Sequence, residues 1–301
     1  MKRALITGSS GFIGQKLVSA IDKEKYSIHV ISRNREPGLE TTICDFQFNL
    51  IPDDVMNGTD IVFHLAGVAH DSIMNYEEYF EINVKASSRL AELAAISGVK
   101  RFIFISSVKS GGVGDNGLCI TELEQVEPEG AYGKTKLQAE LTLLEIGRRT
   151  GMHVTVIRPS LVYGPNAKGN LRQMMLGISN GWFPPLPKIN NKRSMVHIDD
   201  VVRAILFVAT SDKTNGEIFN VTDGEPHSSR EIYEVMCTIL GKSIPRWSLP
   251  KFLFKPLGFF SPTLKQKLGK LFGDECYSSD KLKSIGFKTK RTLKEMNETF
   301  F

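Results

Sequence analysis

Tyr132 and Lys136 stand four residues apart in Tyr132-Gly133-Lys134-Thr135-Lys136, so on a helix they share one face. An ammonium beside a phenol favours the phenolate and lowers the tyrosine pKa. Far upstream, Gly8-Ser9-Ser10-Gly11-Phe12-Ile13-Gly14 follows the apolar run Ala4-Leu5-Ile6-Thr7 and opens a helix-like stretch from Gln15 to Ile21. Glycines placed this way let the backbone turn tightly and approach a pyrophosphate, whose charge sits on the helix N-terminus. Each motif alone is common, but strand, glycine turn and helix in that order are what a dinucleotide site demands. A nucleotide cofactor with a tuned tyrosine means redox chemistry at a carbonyl or an alcohol.

The elements that must position these residues alternate through the first half. Strand character falls at Ala4–Thr7, Ile28–Ser32, Thr42–Cys44, Ile61–Leu65, Phe102–Ser106 and Val154–Arg158. Helical patterns lie between, most clearly Tyr79–Gly98 and Lys134–Thr150. Alternation of this kind predicts an α/β fold, a Rossmann-type doubly wound parallel sheet. After Pro159 the texture changes, and the Pro-rich Asn180–Pro187 segment is excluded from a central strand. Ser194–Ile198 reads as a strand, with Asp199 capping a helix to Thr210, while Ser229–Leu240 and Lys251–Lys283 read as helical.

At 301 residues with 41% hydrophobic content, the chain has ample core for such a unit and a smaller companion. A dispersed net charge of +5 suits an anionic ligand and gives no support for nucleic acid. Cys44, Cys119, Cys237 and Cys276 are scattered without a Cys-x-x-Cys pair, and the histidines show no ligand spacing. No metal site and no disulfide framework are expected, and the cysteine usage suggests a reducing compartment. The early first strand leaves no room for a signal peptide, and no apolar run reaches spanning length, so the expectation is cytoplasmic.

Together with the strand end Phe102-Ile103-Phe104-Ile105-Ser106-Ser107, the two motifs resemble the extended short-chain dehydrogenase/reductase (NAD-dependent epimerase/dehydratase) family. The likeness extends to Phe63-His64-Leu65-Ala66-Gly67, Asn83-Val84, the Arg158–Pro165 segment and the Arg193–Asp200 segment. It implies that Tyr132 is the acid/base on the reacting oxygen and that Ser107 hydrogen-bonds the same oxygen. Ser107 is preferred to Ser106 because it lies 25 residues before Tyr132, the spacing of the family. Lys136 would lower the tyrosine pKa and hold the nicotinamide ribose, and Asn83 would kink a helix and support that lysine. The resemblance also implies a smaller, mostly helical substrate domain, dividing the chain into 1–164 plus about 194–222 for the cofactor and about 165–193 plus 223–301 for the substrate.

For the cofactor, Gly8, Ser10, Gly11, Phe12, Ile13 and Gly14 would cradle the pyrophosphate. Leu65, Ala66 and Gly67 would pass beneath it, Asp45 and Phe46 would lie at the adenine, and Pro159 would also belong to the cofactor site. An NAD site usually places a carboxylate about twenty residues after the glycines. Here Ser32-Arg33 stands at the strand end with no carboxylate before Glu36. Arg33 can pair with a 2′-phosphate, so NADP(H) is preferred, with NAD(H) as the alternative if Arg33 stacks on adenine. Arg193 matches an arginine that grips a nucleotide-sugar diphosphate, Asn170 an asparagine at the same group, and Lys109 would point to the sugar end. His64 and His197 read as buried strand residues rather than catalytic ones.

Three reactions share this scaffold. Dehydration needs adjacent carboxylates after the catalytic serine, and Val108-Lys109 stand there instead. The closest resemblance is to bacterial UDP-N-acetyl-4-keto-6-deoxyhexosamine 4-reductases of surface-polysaccharide synthesis. The alternatives are a UDP-sugar 4-epimerase with tightly bound NAD and a non-catalytic NAD(P)-binding regulator. Expected partners are a UDP-sugar, no nucleic acid, and weak peripheral membrane contact through the basic, aromatic stretch 246–273, in a monomer or homodimer.

Overall fold

The computed structural model describes residues 1–46, 51–68, 75–114, 117–124, 126–167, 169–254 and 268–296. β1 (Lys2–Thr7), β2 (Tyr26–Ser32), β3 (Glu40–Ile43), β4 (Ile61–His64), β5 (Arg101–Ile105), β6 (His153–Pro159) and β9 (Glu217–Val221) form one parallel sheet. Its strand order is β3-β2-β1-β4-β5-β6-β9. These strands are apolar on both faces because helices cover both. Ala4, Ile6, Phe63, Ile103 and Ile157 pack with Leu17 of α1 (Phe12–Ala20) and with Val201, Ile205 and Val208 of α6 (Ile198–Thr210). Their neighbours Leu5, Val62, Phe102, Phe104 and Val156 face Leu90 of α3 (Ala86–Ile96) and Leu143 of α4 (Gly130–Thr150). The expected doubly wound α/β sheet is what the chain forms.

The strand order reverses beside β1, which has β2 on one side and β4 on the other. In open α/β sheets a crevice opens at the carboxyl ends of the strands at such a point. Gly8 and Leu65, which follow β1 and β4, therefore sit at its mouth.

A second, three-stranded sheet joins β10 (Pro226–His227), β8 (Arg193–His197) and β7 (Leu161–Tyr163). It shares a core with α5 (Asn170–Ser179) and α7 (Ser229–Ile239), built on Tyr163, Met174, Met195, Ile232 and Met236.

Three local expectations are corrected. The stretch Lys251–Lys283 is not helical throughout. Glu275 bridges to Arg193 and Tyr277 to Ile120 in extended conformation, and helix resumes at α8 (Asp280–Ser284). Main-chain pairing supplies the reason: Ser194 N donates to Glu275 O at 2.9 Å and Glu275 N to Lys192 O at 2.7 Å. The expectation of no disulfide fails at Cys119–Cys276, which join across 157 residues, while Cys44 and Cys237 are buried and take no part in a disulfide. A pairing so distant leaves no spacing to read. Finally, α6 is capped by His197, whose Nδ1 accepts from Asp199 N at 3.2 Å, and not by Asp199. Within 246–273, residues 255–267 lie outside the described residues. No described helix is long and apolar enough to cross a membrane.

Candidate active site

α4 carries the tyrosine and the lysine. Lys136 is 4% exposed, donates from Nζ to Ile105 O at 3.1 Å, and lies 4.5 Å over the Phe104 ring. Burial lowers its pKa to about 8, against the raising influence of Glu140 one turn on. Such a lysine keeps its charge near neutrality and loses it just above. Tyr132, one turn before, meets Tyr79 edge-on at 6.3 Å between ring centres.

Ser107 follows β5 and its Oγ accepts from Lys109 N at 3.3 Å, opening a short turn over Val108–Gly111. Ser106 is turned elsewhere, with its Oγ donating to the buried Glu140. Gly133, beside Tyr132, allows this turn to touch α4, since a Cβ there would come within 2.8 Å of Lys109 O.

Asn83 occupies a π-helical turn, Glu81–Lys85, between α2 (Tyr76–Phe80) and α3. Its Oδ1 accepts from Val68 N at 2.9 Å and its Nδ2 donates to Thr135 Oγ1 at 3.3 Å, so it bonds the helix bearing Lys136 rather than the lysine. Both tips converge on Gly67, where a Cβ would be 3.0 Å from Asn83 Oδ1 and 3.3 Å from Lys136 Nζ.

A cavity of about 500 Å³ lies at the strand-order reversal. Gly8, Ser10, Gly11, Ser32, Arg33, Asp45, Phe46, Leu65, Ala66 and Gly67 line it, together with Ile31, Cys44, Val68 and Ile82. Phe12, Ile13 and Gly14 instead begin α1, and Pro159 ends β6 opposite Val221. The cavity walls fit a dinucleotide. Gly8 has a left-handed φ of 73°, and a Cβ there would strike Ala66 N at 2.7 Å. Gly14 packs so closely that its Cβ would meet Gly8 O at 2.1 Å. No side chain caps α1 and no acidic residue sits in its first turn, which suits a helix N-terminus that receives an anion.

Arg193 and Asn170 share a second cavity of about 150 Å³ with Leu171, Phe183, Ile232 and Lys270. Arg193 Nη2 donates to Glu275 at 3.2 Å, while its buried Nη1 has no hydrogen-bond partner among the described residues. Lys109 Nζ donates to the same carboxylate at 2.6 Å. Burial pushes the Glu275 carboxyl up, but Arg193 and Lys109 together outweigh it and hold the pKa below its usual value. Glu275 thus links the turn beside Ser107 to the second cavity. Sequence reading missed it, because it lies in a stretch read as helical. His64 is spanned by Thr7 Oγ1 at 2.6 Å and Ser87 Oγ at 2.7 Å, and burial lowers its pKa to about 3. It is a neutral structural histidine.

Known proteins resemble this chain in sequence and in fold. The chain is 34% identical to UDP-glucose 4-epimerase of Vibrio cholerae over 98% of its own length and 93% of the relative. It is 27% identical to N-acetyl-α-D-glucosaminyl-diphospho-ditrans,octacis-undecaprenol 4-epimerase of Escherichia coli O157:H7, covering 89% and 80% of the two chains. Among solved structures, MoeE5 in complex with UDP-glucose and NAD superposes with a TM-score of 0.79 at 24% identity, over 97% and 95% of the chains. UDP-glucuronic acid 4-epimerase from Bacillus cereus in complex with NAD does so at 0.80 and 18%, over 99% and 97%. At those identities the likeness shows the fold. Residues 4–222 match the family description itself, and the chain belongs to the NAD dependent epimerase/dehydratase family of NAD(P)-dependent oxidoreductase-type enzymes.

Proposed function

We propose that the chain reduces the carbon-4 keto group of a UDP-linked 6-deoxy-N-acetylhexosamine with NADPH, in the synthesis of surface-polysaccharide precursors. The observation that carries this reading is the buried Lys136 one turn from Tyr132, beside a Ser107 turn that bears Val108-Lys109 and no carboxylate. Bound cofactor would supply hydride to carbon 4. Tyr132 Oη gives its proton to the carbon-4 oxygen as negative charge develops there, and Ser107 Oγ hydrogen-bonds that oxygen. Lys136 favours the phenolate that remains. Gly8 to Gly14 and the α1 N-terminus hold the pyrophosphate. Arg33, at the cavity edge, pairs with a 2′-phosphate. The open Nη1 of Arg193 supports diphosphate binding in the second cavity, alongside Asn170.

The expected division of the chain goes with this reading. Residues 1–164 and about 194–222 carry the cofactor, and about 165–193 and 223–301 cover the sugar. The proposed setting is the cytoplasm, where NADPH and nucleotide sugars are at hand and where Cys119–Cys276 would be an exception to the usual reduced thiols. Exposed Trp247, Phe252 and Leu253 beside Arg246 and Lys251 support weak contact with an anionic bilayer. Cosedimentation with phosphatidylglycerol vesicles, abolished by about 0.5 M salt through screening, is the expected result. No binding at low salt removes that contact.

A second reading, UDP-sugar 4-epimerase with retained NAD, is favoured by the Vibrio cholerae relative. One experiment separates the two. The reductase consumes one NADPH per 4-keto sugar, and the purified protein prefers NADPH to NADH in fluorescence titration. Interconversion of UDP-GlcNAc and UDP-GalNAc without added reductant establishes the epimerase in its place.

A further inference from the structure

Glu140 is fully buried on α4, one turn beyond Lys136 and on the same face. Nothing in the chemistry above uses it, yet its carboxylate gathers three side chains, two from the turn around Ser107 and one from β6. Oε1 accepts from Ser106 Oγ, from Ser110 Oγ at 2.5 Å and from Arg158 Nε at 3.0 Å. Oε2 accepts from Arg158 Nε at 3.1 Å and from its Nη2. Ser110 Oγ also lies 2.7 Å from Ser107 O, so its one proton is shared between that carbonyl and Glu140. The residue before Ser107 and the residue three after it are thereby tied to one carboxylate. Gly111 completes the fit, since a Cβ there would come within 3.0 Å of Arg158 Nη1.

We infer that Glu140, paired with Arg158, is a positioning residue that fixes the Ser106–Ser110 turn presenting Ser107 and faces Lys136 across one helical turn. A buried ion pair is weak evidence for stability alone, because desolvation offsets its attraction. Here the pair stands where its charges act on the site. Lys136 faces Tyr132 and Glu140 on its own helix and neutral His64 from β4. Arg158 faces Glu140 and has Glu122 and Tyr277 near it. Removing the carboxylate takes away the charge that raises the Lys136 pKa. Removing the guanidinium leaves Lys136 supported by an uncompensated Glu140. The two changes push the lysine in opposite directions, which no loss of packing would do.

The test uses S110A, E140Q, R158M and the neutral pair E140Q/R158M in the full chain. The inference rests on the proposed chemistry for its rate readout, so a readout without substrate accompanies it. Titration of lysine labelled at 13Cε, with the Lys136 signal assigned through K136M, should give a midpoint near 8 in the wild type. The midpoint should fall in E140Q, rise in R158M and return toward the wild type in the pair. S110A, which keeps the ion pair and the fold, should lose about tenfold in kcat with KM within about twofold, as expected for a shifted catalytic group. Midpoints that stay fixed, or move together in E140Q and R158M, overturn the inference. So does wild-type kcat in S110A. A wild type that turns over no UDP-sugar refutes the proposed function instead, and the lysine titration still decides the role of Glu140.

Discussion

In the proposed chemistry Tyr132 and Lys136 depend on each other through charge, and that dependence fixes how their loss should look. Tyr132→Phe keeps the ring against Tyr79 and removes the proton donor, so the chemical step should slow by about 10²–10⁴-fold with cofactor affinity unchanged. Stopped-flow measurement of the hydride step checks this, and a variant above half the wild-type rate takes Tyr132 out of the mechanism. In the free wild-type enzyme Lys136 ionises near 8, so kcat/KM should decline above that pH as the ammonium is lost. Lys136→Met should abolish that limb along with most of the rate. The placement of Tyr132 and Lys136 on one helix, after the strand end that carries Ser107, was legible because their spacing is local or tied to one strand end. Glu275 and Glu140 were not. Each acts through partners distant in sequence, Arg193 at 82 residues and Arg158 at 18, and no periodicity marks such pairs. Glu140 did leave a trace, since it falls four residues after Lys136 on the site-facing side of α4.

Elements position these residues through close backbone contact at a few points, and the glycine loop is the tightest. Strand, turn and helix were readable there because glycine placement and apolar runs are local signals, and β1, α1 and the sheet order followed. The 274–279 segment was misread because its pairing with Arg193 and Ile120 overrides local helical preference. His64 shows how the elements are held, joining β1 and β4 to α3 through Thr7 and Ser87. Its folded pKa of about 3 lies below the ordinary value of about 6.5, so the unfolded chain binds a proton that the native state refuses. The stability His64 contributes is therefore complete above pH about 6.5 and is lost as pH falls toward 3. The slope is about 1.4 kcal/mol per pH unit across that window. His64→Gln should be less stable at pH 8, yet its urea-unfolding free energy should fall less steeply between pH 6 and 4. An identical slope in both proteins would mean that His64 is protonated in the native state.

At the scale of the whole molecule, the connection between the Ser107 turn and α4 is joined to the segment that carries Glu275 by a covalent link, Cys119–Cys276. Ile120 N donates to Cys276 O at 2.9 Å and Tyr277 Oη to Gly112 O at 2.9 Å, so the link reinforces a contact already made by the backbone. A disulfide works mainly by restricting the unfolded chain, and the benefit grows with the loop it closes. For a sequence separation of 157 residues, chain entropy gives about 5 kcal/mol, an upper value that residual structure in the unfolded state reduces. Reduction should therefore lower Tm by up to about 8 °C, and Cys119→Ser should reproduce the drop without reductant. Alkylation of the denatured, unreduced protein should modify Cys44 and Cys237 alone. Four modified cysteines with a reductant-independent Tm would show that the two thiols stand apart. In that case the backbone pairing of Ser194 with Glu275, and the ion pairs of Glu275 with Arg193 and Lys109, must hold the substrate side of the site by themselves.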